Sequence, residues 1–65
     1  MIEFRVNDMT CGHCVASVTK AVKAVEPAAK VDIDLGSKRV RVEGTDARDK
    51  IEAAIKDAGF TPVAA

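Results

Sequence analysis

Apolar and polar positions alternate with period 2 in some segments of the chain and recur at helical spacing in others. Ile2, Phe4 and Val6 alternate with Glu3, Arg5 and Asn7, which predicts a strand with one buried face. Farther on, Val15, Val18, Val22 and Val25 recur at helical spacing with Ala21 beside them, while Ser17, Lys20 and Lys23 fall on other faces. A helix from about Gly12 to Val25 is expected, ended by Pro27, which cannot donate to the preceding turn. Val31, Ile33 and Leu35 then alternate with Asp32 and Asp34. Beyond Gly36-Ser37, Val40 and Val42 alternate with Arg39, Arg41 and Glu43. These two strands read as a hairpin with a two-residue loop, and Gly36 in first place suits a type II′ turn. That loop sets Asp34 opposite Arg39, Ile33 opposite Val40, Asp32 opposite Arg41, Val31 opposite Val42 and Lys30 opposite Glu43, so charge meets opposite charge and apolar meets apolar. Arg39 and Arg41 are therefore read as cross-strand partners on a solvated face rather than as an anion site.

Thr45 or Asp46 is placed to cap a second helix, with Ile51, Ala54, Ile55 and Ala58 as its buried stripe and Gly59 as its stop. A last strand is expected over Phe60 to Val63, at a sheet edge because of Pro62. The element order β-α-β-β-α-β predicts an α+β, ferredoxin-like fold, a four-stranded antiparallel sheet with both helices on one face. Following the chain direction, the loop after the first strand, the Gly36-Ser37 turn and Gly59-Phe60 share one end of the sheet.

Length and charge narrow the function. Of 65 residues 48% are hydrophobic, yet 11 are Ala, so one small domain over residues 1–65 is expected, without room for a long substrate cleft. Most enzymes are disfavoured on that ground, and the chain is read as a non-enzyme. Ten basic residues balance ten acidic ones, and Trp and Tyr are absent. Nucleic-acid binding thus lacks its two usual supports, a basic surplus and stacking aromatics. No apolar run approaches the ~20 residues of a membrane span, and the acidic start Met1-Ile2-Glu3 does not resemble a signal peptide. A soluble cytoplasmic protein is expected, unless Met1 was added to a processed chain.

The chemistry lies in Asp8-Met9-Thr10-Cys11-Gly12-His13-Cys14, between a strand and the start of a helix. A disulfide between Cys11 and Cys14 closes too small a loop to staple a fold, so their value is chemical. Thiolates bind metals, and a helix N-terminus lowers a cysteine's pKa; Cys14, inside the first turn, should profit most. Gly12 is expected to let the backbone bend so that the sulfurs converge. Two soft ligands on an exposed loop suit a soft ion of low coordination number, with Cu(I) the chief biological candidate and Ag(I) and Hg(II) fitting by the same argument. Zn(II) is disfavoured because a structural site wants four ligands, and His13 should diverge from its neighbour Cys14. Asp8 or a second molecule would have to complete such a site. The alternative chemistry is thiol-disulfide exchange, since C-x-x-C at a helix start is also a redox dithiol. The loop lacks the Trp and Pro that flank many such dithiols.

Met9-Thr10-Cys11-Gly12-His13-Cys14 between strand and helix, followed by a hairpin, a helix and Asp57-Ala58-Gly59-Phe60, resembles a heavy-metal-associated domain along essentially the whole chain. Such domains occur as small bacterial copper chaperones and as N-terminal modules of metal-transporting P-type ATPases. The resemblance implies Cu(I) held by Cys11 and Cys14 and delivered to a copper-transporting P-type ATPase or its metal-binding domains. Zinc- and cadmium-handling relatives often carry Asp where this chain has Thr10, which favours copper. Periplasmic mercury-binding relatives begin as precursors with signal peptides. A monomer is expected, with a copper-bridged dimer as the alternative in which two dithiol loops share ions.

The neighbours are read individually. Met9 packs beneath the loop rather than binding as a thioether, and the family pattern likewise gives it a supporting role. His13 faces solvent and at most tunes the thiolates near neutral pH. Phe60 is expected at the site's end of the fold, read either as ordinary core filling or, as the family pattern of an aromatic or Lys in this loop implies, as a shield for the ion. Lys20, Lys23 and Lys38 are read as solubilising charge that, if clustered at that end, would steer docking onto an acidic partner.

Overall fold

A computed structural model describes residues 1–64 of the chain. Strand β1 spans Ile2–Val6 and helix α1 spans Gly12–Val25; strands β2 (Lys30–Asp34) and β3 (Arg39–Glu43) follow, then helix α2 (Arg48–Asp57) and strand β4 (Pro62–Ala64). The sheet order is β2-β3-β1-β4 with every neighbouring pair antiparallel. The two central strands carry the alternation furthest: Phe4 and Val6 on β1 and Val40 and Val42 on β3 have essentially no exposed surface. Their inner faces meet Val18 and Val22 of α1 and Ile51 and Ile55 of α2 in one core. Each such side chain, fully buried, contributes roughly 1.5–3 kcal/mol of transfer free energy. The helices touch each other, α1 also touching β2 and α2 touching β4, so both cover the same face as expected.

The hairpin register agrees with the alternation pair by pair, from Lys30 opposite Glu43 to Asp34 opposite Arg39. Its turn does not. Residues 35–38 form a four-residue turn in which Lys38, not Gly36, takes the left-handed backbone, with φ 62. The reason is local: Asp34 Oδ1 accepts the N–H groups of Gly36 at 3.0 Å and Ser37 at 3.4 Å, folding the chain back before a type II′ turn can form. On the open face Arg41 lies opposite Asp32, but it forms its ion pair with Glu3 of β1, at 2.7 Å.

Three further expectations need correction. The N-cap of α2 is Ala47 and no side chain caps the helix, because Thr45 is used elsewhere: its hydroxyl donates to Glu26 Oε1 at 2.6 Å and accepts the Ala47 N–H at 3.1 Å, and Asp46 offers only its carbonyl, to Arg48 N–H. Ala58 is exposed rather than part of the buried stripe, since α2 ends at Asp57 and the chain turns out of the helix there. That turn is a Schellman motif: Gly59 at φ 98 donates to the Lys56 carbonyl, and Phe60 to that of Ile55. Finally, β4 begins at Pro62 and not at Phe60, because Phe60 N–H is taken by this cap. Strand β4 is an edge strand, as Pro62 predicted.

Candidate metal centre

The segment between β1 and α1 is anchored at its root and open at its tip. Met9 is fully buried in the core, and its N–H donates to the Val6 carbonyl at 3.2 Å, so the chain leaves β1 in a tight bend. Asp8 Oδ1 accepts the N–H of Thr61, just before β4, at 3.2 Å. Lys38 Nζ donates to the Met9 carbonyl at 2.6 Å. These contacts bring together at one end of the sheet the three connections that chain direction predicted.

Past Met9 the chain emerges. Thr10, Cys11, Gly12 and His13 are exposed and Cys14 is half-buried against the core. Cys11 is the N-cap of α1 with extended backbone, and its carbonyl accepts the N–H groups of Cys14 and Val15. That half-turn sets the two Sγ atoms 3.5 Å apart, as free thiols. Gly12 plays a smaller part than expected: its φ is not positive and a Cβ there would meet nothing within 4 Å, so the convergence of the sulfurs comes from the helix start itself.

The Cys14 thiol is held below the ordinary cysteine range, first by the Thr10 backbone amide and then by the Cys11 side chain, against some desolvation. The expected site residues thus divide by role. Cys11 and Cys14 come together, Thr10 bears on Cys14, Met9 lies in the core below, and Phe60 is half-buried against that core at the same end. Asp8, the carboxylate that a closed zinc site would recruit, is engaged with Thr61. Among the described residues no group of three His, Cys, Asp or Glu side chains converges to hold a metal, so the chain offers two sulfurs and an open side. Lys38 is the neighbour that sequence reasoning assigned to the solvent. Its link to Met9 spans 29 residues, and no local pattern signals it.

Comparison with known proteins gives the same picture. Residues 3–61 match the heavy-metal-associated domain. Copper-transporting ATPase 1 of Rhizobium meliloti is 37% identical over 62 residues, 92% of this chain but only 8% of that protein. The human copper transport protein ATOX1 is 39% identical over 59 residues, covering 91% of this chain and 84% of its own length. Among solved structures, a gold binding protein superposes with a TM-score of 0.93 at 34% identity over the whole of both chains. The copper chaperone Atx1 from Synechocystis PCC6803 gives 0.90 at 32% identity, over 95% of this chain and 98% of the other. Among the described residues no helix is long and apolar enough to cross a membrane.

Proposed function

Since the chain belongs to the heavy-metal-associated domain family, we propose that it is a non-enzymatic, cytoplasmic carrier that binds one Cu(I) through Cys11 and Cys14 and passes it to a partner by thiolate exchange. The observation that carries this reading is the pair of free sulfurs 3.5 Å apart on an exposed helix start, with no His, Cys, Asp or Glu among the described residues converging as a third ligand. Soft thiolates in low number select a soft monovalent ion over Zn(II), which wants four ligands. Copper-handling relatives and a gold binding protein of the same fold support a soft-metal cargo, and by softness Ag(I) would suit the same two atoms.

Exchange rather than release is the faster route for a tightly held ion. A site whose Kd were ~1 pM, with an association rate constant of ~10^7 M⁻¹s⁻¹, would free its ion at only ~10^-5 s⁻¹, about once a day. Direct attack by a partner thiolate on the bound ion avoids that wait. Metal–thiolate bonds of ~2.3 Å to sulfurs at their present separation would meet at about 100°, which leaves the solvent side open to a third sulfur. The matching partner has an exposed dithiol of its own, as a metal-binding domain of a copper-transporting P-type ATPase would. The match to 8% of the Rhizobium ATPase favours a second standing for the same chemistry, in which this chain acts as one such module.

The test is competition of the reduced protein against a calibrated Cu(I) chelator and, separately, a Zn(II) chelator, with Cys11→Ser and Cys14→Ser alongside. One Cu(I) per chain is expected, lost in both variants, with Zn(II) held orders of magnitude more weakly. Undiminished loading after both thiols are alkylated refutes the reading.

A further inference from the structure

The turn between β2 and β3 reaches across to the loop that carries the cysteines. Lys38 closes that turn at φ 62, and among the described residues no other non-glycine residue has a positive φ. An L side chain is disfavoured there and glycine is not, so the side chain's own contacts become the place to look for a role. The Lys38 carbonyl accepts the Val6 N–H at 2.8 Å, a bond that any residue could make. Its Nζ, donating to the Met9 carbonyl at 2.6 Å, makes a charge-assisted bond that only a basic side chain of this reach supplies.

The Met9 carbonyl and the Thr10 N–H are two ends of one peptide group, which is trans and planar, so they point in opposite directions. Fixing the oxygen on the β2–β3 side therefore fixes the direction of the N–H on the other. We propose that Lys38 is a positioning residue of the dithiol: its ammonium anchors the Met9 carbonyl and thereby fixes the Met9–Thr10 peptide, from which the segment carrying Cys11 and Cys14 departs. The inference rests on Cys11 and Cys14 being the Cu(I) ligands. Lys38 touches neither sulfur in this account; it acts through the backbone, and it ties the site to the sheet.

Three variants separate this role from a purely structural one. Lys38→Gly relieves the left-handed backbone and removes the ammonium, Lys38→Met keeps an apolar stem without charge, and Lys38→Arg retains a donor. The readouts are the Thr10 backbone amide resonance in the reduced, metal-free protein, Cu(I) affinity by chelator competition, and the thermal midpoint. In Lys38→Gly and Lys38→Met the Thr10 resonance should move and Cu(I) affinity should fall about three- to tenfold, a part of what a hydrogen bond to a charged group is worth. Lys38→Arg should restore both, and Lys38→Gly should unfold no earlier than the parent. An unmoved Thr10 resonance in Lys38→Gly, with Cu(I) affinity within about twofold of the parent, overturns the proposal. So does a loss of affinity that merely follows the thermal midpoint across the three variants. Should the parent bind no Cu(I), the metal reading fails by itself, and the Thr10 resonance of the metal-free variants still decides whether Lys38 fixes that peptide.

Discussion

Replacing Met9 separates its two conceivable uses, support and ligation. The side chain is 0% exposed and lies in the main core with Phe4, Val6 and Ile51. Truncation to Ala would leave a cavity, and such changes cost about 2–5 kcal/mol. A chain of this length has a total stability of only ~3–10 kcal/mol, so Met9→Ala should remove about a fifth of it or more. With each kcal/mol worth roughly 4–8 °C in a domain of this size, the thermal midpoint should fall by at least about 8 °C. Met9→Leu conserves volume and should cost less than about 1.5 kcal/mol. Urea unfolding of the reduced, metal-free protein measures both, and a lower midpoint at unchanged slope is the signature of lost stability alone. Chelator competition then asks what copper feels. If the thioether only packs, Met9→Leu keeps the parent's Cu(I) affinity. If Met9→Leu is as stable as the parent yet binds Cu(I) more than about tenfold more weakly, the sulfur is a ligand and the argument from burial is refuted.

Gly59→Ala should destabilise by about 1–2 kcal/mol, because φ 98 is unfavourable for Ala although a Cβ would meet nothing within 4 Å. Gly12→Ala, also unobstructed but without positive φ, should be neutral or stabilising in the same thermal assay, and equal losses in the two would contradict the backbone account. The Arg41 guanidinium, hydrogen-bonded to Glu3, holds that carboxyl below the ordinary carboxylate range. A lowered pKa stabilises the folded form above the unfolded group's pKa, and the benefit disappears as pH falls through the folded value. The stability difference between the parent and Glu3→Gln should therefore shrink on going from about pH 6 to about pH 3, and a difference that stays constant over that range would rule this out.

What the sequence reveals is whatever is repeated. Strand β1, helix α1 and the hairpin register each rest on several side chains that must all face the same way, so a one-residue slip would expose the whole set. The dithiol is legible for a related reason: three-residue spacing at a helix start leaves the sulfurs few places to go. Single backbone choices are not legible. The turn after Asp34 is decided by one carboxylate reaching two amides, and the left-handed residue lands on Lys38 despite the nearby Gly36. Contacts between remote segments are hidden too. Arg41 meets Glu3 because β3 lies between β1 and β2, and Thr45 is drawn from capping α2 by Glu26 at the end of α1. Lys38 and Asp8 reach the loop's root in the same way, so the candidate ligands could be read from the chain but not what holds them.

Burial also sorts the three sulfurs of this loop, and the order matters to the proposed transfer. Met9 is enclosed, Cys14 is half-buried and Cys11 is exposed. A third sulfur within reach of the ion would close its coordination and occupy the position through which a partner thiolate must enter. Under the proposed transfer, keeping the thioether in the core would serve exchange as much as stability. The root is held largely through main-chain atoms, the Met9 carbonyl, the Met9 N–H and the Thr61 N–H, none of them a soft ligand that competes for copper. A fixed root lets the sulfurs meet the ion without first ordering the loop, which lowers the entropic cost of binding. The exposed end at Cys11 would then leave a bound ion accessible from one side, the side on which the proposed thiolate exchange would begin.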